Sequence, residues 1–132
     1  MTQGLDLEQK LVLAQQVLEG LKALHAKGIS HRDLKPENVL INDLFEVQLT
    51  DFGLSKFEGT KGQGSVRTTD GMMMGTPAYM SPEQAEGRED IGAEADVWAF
   101  GALMYELFTG VRLFEGNTLA VTFRNIFTQN IN

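Results

Sequence analysis

A polar, proline-containing segment followed by two short strand patterns constrains the fold of this chain more than any other feature. Residues 31–38 read His-Arg-Asp-Leu-Lys-Pro-Glu-Asn, a composition that predicts a loop. Residues 39–41 are apolar and β-branched, and residues 47–50 alternate apolar with polar side chains, so both segments are strand candidates. An Asn-Asp pair between them supplies turn residues. The resulting hairpin would return the chain to the loop and bring Asp51 close to Asp33.

Leucines at helical spacing precede this loop and predict an amphipathic helix. Asp6, with Gln9 three residues later, is a plausible N-cap, and Gly28 is a plausible stop. His25 lies near the predicted C-terminus, where a cation is favourable, and we expect no further role for it. The predicted buried face consists of Leu7, Leu11, Ala14, Leu18 and Leu21, and is widened by Leu13, Val17 and Leu24.

The second half of the chain contains one strong helix pattern. Residues from about 94 to 109 are mostly apolar and are followed by Gly110, which predicts a long core helix. Residues 119–126 are a candidate for a last short helix. Between the hairpin and the long helix, residues 58–75 are rich in glycine, and residues 76–83 contain proline and predict a loop.

Composition excludes several classes of protein. The 132 residues include 18 acidic and 11 basic side chains, a formal net charge of -7, which argues against nucleic acid as a partner. The chain contains no cysteine, so disulfides and thiolate metal sites are excluded. No signal peptide is visible, and the most apolar stretch is too short to span a bilayer. We therefore expect a soluble intracellular protein, cytoplasmic or nuclear, with no membrane partner.

Four polar residues suit the transfer of a phosphoryl group. Such a reaction needs a group that orients the attacking hydroxyl, and oxygen ligands that hold Mg²⁺. Asp33 could accept the hydroxyl proton, and Lys35 could neutralise charge on the transferred group. Asn38 and Asp51 could bind the metal ion.

Four strings in this order make the chain resemble the protein kinase family: HRDLKPEN, DFG, GTPAYMSPE and DVWAFG. The resemblance covers residues 7–126 and implies the use of ATP and Mg²⁺ on protein substrates. It also implies a mainly α (α+β) fold, the C-terminal lobe of a kinase with a small β-hairpin. We therefore expect residues 1–132 to form a partial kinase domain. Its parts would be a catalytic loop at 31–38, an activation segment at 51–83 and the long core helix.

The resemblance also assigns roles to residues. The catalytic residues would be Asp33, Lys35 and Thr76; the nucleotide-binding residues would be Lys35, Glu37, Asn38, Leu40 and Asp51; and the metal ligands would be Asn38 and Asp51. Lys35 together with Gly75-Thr76-Pro77 is similar to the pattern of Ser/Thr kinases. Glu37 and Glu106 match positions that favour basic residues in the substrate of some relatives.

Structural and regulatory roles follow from the same resemblance. His31 and Phe52 would join an internal apolar column, Asp96 would anchor the catalytic loop, and Leu103 and Leu107 would support the core. Arg32 would bind a phosphorylated activation segment. The available hydroxyls there are Thr69, which we favour, Thr68 and Ser65.

Parts of the family pattern are missing from the sequence. No Gly-rich loop, strand lysine or partner glutamate precedes Leu7, so the N-terminal β lobe is expected to be absent, and Glu83 is expected to lack its usual arginine. Two hypotheses remain: a segment of an active Ser/Thr kinase, or a catalytically inactive, kinase-derived binding or regulatory module. Coding sequence upstream of Met1 would distinguish them, as would phosphate transfer compared with an Asp33→Asn control.

Overall fold

The computed structural model describes residues 4–51 and 77–129. A long first helix, a two-stranded hairpin and three further helices follow one another along these residues. The elements are α1 (Leu7–Ala26), β1 (Val39–Ile41), β2 (Val47–Leu49), α2 (Pro82–Ala85), α3 (Ala93–Thr109) and α4 (Leu119–Thr128), with 3₁₀ turns at Pro36–Asn38 and Pro77–Tyr79. The mainly helical fold with a small hairpin agrees with the sequence prediction.

Helix α1 begins and ends where its capping residues predict. The Asp6 side chain accepts the Gln9 N–H at 2.8 Å, and the Gln9 side chain accepts the Asp6 N–H at 3.1 Å, which forms a complete capping box. Gly28 adopts a left-handed φ of 75° and donates to the His25 carbonyl.

The predicted buried face of α1 is only partly correct. Leu7, Leu11 and Leu18 are 64%, 53% and 44% exposed among the described residues. The buried residues are Leu13, Val17 and Leu21. The helix is apolar around more than one face, and spacing alone does not say which face meets β2 and α3. Tertiary packing makes that choice.

The hairpin forms as predicted, and α1 holds it. The two antiparallel strands pair Val39 with Leu49 and Ile41 with Val47. Gln16 of α1 binds the β2 side of the turn twice. Its Nε2 donates to the Phe45 carbonyl at 2.5 Å, and its Oε1 accepts the Val47 N–H at 2.9 Å. One side chain thus satisfies two partly buried backbone groups and fixes the hairpin against the helix.

Gln16→Ala is therefore expected to lower the free energy of unfolding by about 1–3 kcal/mol, because it leaves two partly buried backbone groups without partners. Urea denaturation measures the change. Gln15→Ala is the matched control, since Gln15 is exposed and makes only a 3.4 Å bond to Glu19. Equal unfolding midpoints for the two variants would show that Gln16 does not hold the hairpin against α1.

Helix α3 is the centre of the core and begins one residue before the predicted start. Leu103 is fully buried and Leu107 is 3% exposed, while α1 and the hairpin pack against neighbouring positions. Gly110 ends the helix with a left-handed φ of 79°, as predicted. The predicted last helix is present as α4. The 76–83 segment is not a plain loop in its described part, because Pro77–Tyr79 and α2 are helical turns.

Within residues 4–51 and 77–129, we find no helix with the length and apolar character needed to cross a lipid bilayer.

Candidate active site

The Asp96 carboxylate organises the start of the 31–38 loop. It is completely buried on the first turns of α3. Its Oδ2 accepts the His31 N–H at 2.7 Å, and its Oδ1 accepts the Arg32 N–H at 2.8 Å. These bonds provide the anchoring that the resemblance implied. The helix itself is capped at Gly92, so Asp96 is not the helix cap.

His25 completes this anchor, a role that the sequence interpretation missed. Its Nε2 lies 2.8 Å from Asp96 Oδ2, on an imidazole that is 26% exposed. A position in the last turn of α1 explains the predicted dipole interaction but gives no sign of a partner 71 residues away. The last turn of α1 and the first turns of α3 are therefore joined directly behind the loop.

The His31 ring connects the loop to the end of the hairpin. It is fully buried, its Nδ1 accepts the Asp33 N–H at 3.1 Å, and its Nε2 lies 2.9 Å from the Thr50 carbonyl. This pairing corresponds to the neutral tautomer with the proton on Nε2, which donates to that carbonyl. His31 is thus a structural residue. Because Thr50 immediately precedes Asp51, this contact links the loop that carries Asp33 to the residue before Asp51.

Asp33 lies in a half-buried, hydrogen-bonded environment. The Asn38 Nδ2 donates to the Asp33 carbonyl at 2.7 Å and to its Oδ2 at 3.2 Å. Lys35 Nζ lies 3.6 Å from Asp33 Oδ1. Burial raises the pKa of Asp33 above its ordinary value of 3.8, and Lys35 and Asn38 only partly offset this effect. A carboxylate with a raised pKa is a better proton acceptor, which suits a general base.

Asn38 and Asp51, the two predicted metal ligands, are linked to the same loop. The Asn38 carbonyl oxygen accepts the Thr50 N–H at 2.9 Å, which places residue 51 next to the loop. The Asn38 amide nitrogen donates to Asp33, and its Oδ1 is the side-chain oxygen that would bind a metal ion. Asp51 is exposed and has a left-handed φ of 60°.

These donors fit the Mg²⁺ that the family resemblance implies. Oxygen ligands are those that Mg²⁺ prefers, and it is commonly held by one or two carboxylates together with substrate phosphates. The described parts of the chain contain no group of three or more His, Asp or Glu side chains arranged to hold a metal. Asn38 and Asp51 would therefore hold the ion jointly with phosphate oxygens.

Two further residues predicted to bind the nucleotide are exposed. Leu40 is 52% exposed on β1, and Glu37 is exposed at the 3₁₀ turn before it. Their contacts with a nucleotide stay predictions.

Glu106 is engaged inside the protein. The Tyr79 hydroxyl donates to Glu106 Oε1, which joins the Pro77–Tyr79 turn to α3. Burial, the hydrogen bond to Glu106 and its negative charge raise the pKa of Tyr79, and nearby Arg112 opposes the shift. The proposed preference of Glu106 for a basic substrate residue would therefore compete with an existing hydrogen bond.

Arg32 contacts the segment before α3, because its guanidinium donates to the Ile91 carbonyl. Its predicted partners Thr69, Thr68 and Ser65 lie outside the described residues, as do Thr76, Phe52 and Gly53. Glu83 is half-buried in α2, and no salt bridge to it occurs within the described segments. The roles assigned to all of these residues stay predictions.

Comparison with known proteins finds both a matching family and similar proteins. A family model described as the protein kinase domain matches residues 3–132. CBL-interacting protein kinase 30 of Oryza sativa subsp. japonica is 39% identical over 117 residues, covering 88% of this chain and 24% of that protein. Maternal embryonic leucine zipper kinase of Danio rerio is 39% identical over 119 residues, covering 90% of this chain and 17% of that protein.

A bacterial protein is equally similar. The probable serine/threonine-protein kinase pknA2 of Bifidobacterium longum (strain NCC 2705) is 37% identical over 122 residues, covering 92% of this chain and 16% of that protein. The chain thus spans between 16% and 24% of the length of these three curated relatives.

Proposed function

The chain belongs to the protein kinase family, and from that premise we propose that it transfers the γ-phosphate of ATP to Ser or Thr hydroxyls of protein substrates. The observation that carries the proposal is the arrangement around Asp33. A carboxylate whose pKa is raised by burial lies beside the Lys35 ammonium group and accepts a hydrogen bond from the Asn38 amide. Relatives whose names describe Ser/Thr kinases support the choice of substrate class.

In the proposed reaction, a substrate hydroxyl oxygen attacks the γ-phosphorus as the bond to the β-γ bridging oxygen breaks, and ADP leaves. Asp33 orients the hydroxyl and accepts its proton. Lys35 offsets negative charge on the transferred phosphoryl group. Mg²⁺, when bound by Asn38 and Asp51, supplies charge neutralisation at the phosphates. Thr76 is proposed to hydrogen-bond Asp33 and Lys35 and to shape a site for short hydroxyl side chains.

The alternative is a binding or regulatory module without catalysis, and such a module does not require the arrangement of groups around Asp33. A scaffold has no chemical need for a buried carboxylate whose ionisation is penalised by its surroundings. The organised environment of Asp33 therefore favours catalysis.

A phosphate-transfer assay tests the proposal. The 132-residue chain, and the full protein where its coding sequence extends further, would be incubated with radiolabelled ATP, Mg²⁺ and matched Ser, Thr and Tyr peptide libraries. We expect label on Ser and Thr peptides, abolished by a chelator and by Asp33→Asn. Absence of transfer by the full protein, or equal transfer by the Asp33→Asn variant, would refute the proposal and favour the non-catalytic module.

A further inference from the structure

Gln84 forms a hydrogen bond to the peptide that carries Asp33. Its Nε2 donates to the Arg32 carbonyl at 2.8 Å, across 52 residues of sequence and in a partly buried position. Gln84 belongs to α2, which follows Ser81 in the second described part of the chain. The bond therefore joins this part of the protein directly to the start of the 31–38 loop.

The bond holds one end of a peptide unit whose other end is also held. The Arg32 carbonyl and the Asp33 N–H belong to the same planar peptide group. Gln84 binds the carbonyl, and the His31 Nδ1 accepts the N–H at 3.1 Å. Fixing both ends of a rigid plane fixes the direction in which the Asp33 Cα leaves it.

The backbone at this point needs such support. Arg32 has a φ of 69°, in the left-handed region that side chains other than glycine seldom adopt and that is strained. Asp96 holds the preceding peptide through the Arg32 N–H, at 2.8 Å. Without the Gln84 bond, the Arg32 carbonyl would lose its hydrogen bond to α2, and the following peptide would be freer to rotate and relax the strained backbone.

We propose that Gln84 is a positioning residue for phosphoryl transfer, which acts by holding the Arg32–Asp33 peptide and thereby aiming the Asp33 carboxylate. The proposal rests on the kinase activity proposed above. Displacement of a reacting group by about 1 Å can cost about 10²-fold in rate, so a single well-placed bond to the backbone affects catalysis. The bond also makes the orientation of Asp33 depend on where α2 lies.

The two ends of the Gln84 amide have separate tasks, so they can be tested separately. Its Oε1 accepts the Ser81 N–H at 3.1 Å within the capping box of α2, while its Nε2 serves Arg32. Gln84→Glu keeps a capping oxygen, since Glu and Gln both suit this position, but replaces the donor with an oxygen that the carbonyl repels. Gln84→Met removes the donor without adding a charge. Ser81→Ala is the control. It removes the hydroxyl that accepts the Gln84 backbone N–H at 3.3 Å and donates to Gln84 Oε1 at 3.4 Å, but it keeps the shorter bond from the Ser81 N–H to that oxygen.

Steady-state kinetics on the full protein test the proposal. Both Gln84→Glu and Gln84→Met are expected to lower kcat by at least about fivefold, the scale of one hydrogen bond, with KM for ATP and for peptide unchanged within about twofold. Ser81→Ala is expected to lower the melting temperature while kcat stays at the wild-type value. Wild-type kcat in both Gln84 variants, or a loss of kcat in Ser81→Ala equal to theirs, would overturn the proposal.

Amide hydrogen exchange separates this inference from the proposed function. Exchange of the Arg32 and Asp33 amides, followed by NMR, is expected to accelerate at least about fivefold in Gln84→Glu and to stay at the wild-type rate in Ser81→Ala. If the wild-type protein transfers no phosphate, the proposed function fails, but the exchange rates still decide whether Gln84 holds this peptide. Unchanged amide exchange in Gln84→Glu would show that Gln84 does not hold the Arg32–Asp33 peptide.

Discussion

Asp33→Asn is expected to lower the rate of phosphoryl transfer by about 10²–10⁴-fold, the range associated with a positioned general base. The amide has nearly the shape of the carboxylate and can still accept the hydrogen bond from Asn38, which now reaches Oδ2 at 3.2 Å. What it cannot do is accept the hydroxyl proton. Initial rates with saturating ATP and peptide measure the effect.

The same substitution is expected to leave the folded state at least as stable as the wild type at neutral pH. Burial raises the pKa of Asp33 above 3.8, so between that value and the folded pKa the native state binds more protons than the unfolded state. The free energy of unfolding contributed by this group therefore falls as pH rises through that interval, and the penalty remains at neutral pH. The uncharged asparagine side chain does not carry this cost of burying a charge. Urea denaturation at two pH values, one acidic and one neutral, measures the difference between the variants.

The pH dependence of activity provides a second readout of the same carboxylate. Protonation of Asp33 removes the base, so kcat is expected to decline on the acid side with a midpoint above 3.8. Residual activity of Asp33→Asn should lack this decline. A variant that loses stability at neutral pH, or that retains the wild-type acid limb, would contradict the role of Asp33.

Asp96→Asn is expected to lower the free energy of unfolding by about 3–5 kcal/mol, the cost of breaking a buried charged network by altering one member. The Asp96 carboxylate is fully buried and accepts the backbone N–H groups of His31 and Arg32. An asparagine turns one acceptor into a donor that faces donors, so at least one buried N–H loses its partner. A loss of this size is large beside a typical total of about 5–15 kcal/mol.

The matched control for this prediction is Asp90→Asn. Asp90 is 72% exposed and pairs only with the neighbouring Arg88, at 3.0 Å, so solvent screens the interaction. We expect no measurable shift of the unfolding midpoint for this variant. A similar midpoint for the Asp96 and Asp90 variants in urea denaturation would show that Asp96 does not anchor the loop.

Local patterns were sufficient to predict most of the secondary structure. The Asp6 and Gln9 capping box, the turn before β2 and the stop at Gly110 each depend on residues within a few positions of one another. Such interactions form with little regard to the rest of the chain, because their partners are already close in sequence. Local capping and turn interactions can therefore be predicted from the sequence.

Predictions failed where the partner lies far away in sequence. The buried face of α1 was predicted only in part because its apolar residues cover more than one face, and only β2 and α3 decide which is buried. His25 was given no partner because Asp96 lies 71 residues later. No contact was predicted for Gln84, since its hydrogen bond to Arg32 spans 52 residues. The hydrogen bond from the Tyr79 hydroxyl to Glu106 was also not predicted, since it joins residues 27 positions apart, and the contact of Glu106 with a basic substrate residue stays a prediction.

The sequence by itself determined which chemical groups this protein has and their order along the chain: an aspartate, a lysine and an asparagine in one loop, and a second aspartate after a hairpin. Only the tertiary structure decided how those groups behave. The raised pKa of Asp33 comes from burial, and the direction of Asp33 comes from bonds to His31, Gln84 and, through the preceding peptide, Asp96. Burial and long-range hydrogen bonds depend on segments that meet only after folding, so residue type and spacing cannot specify them.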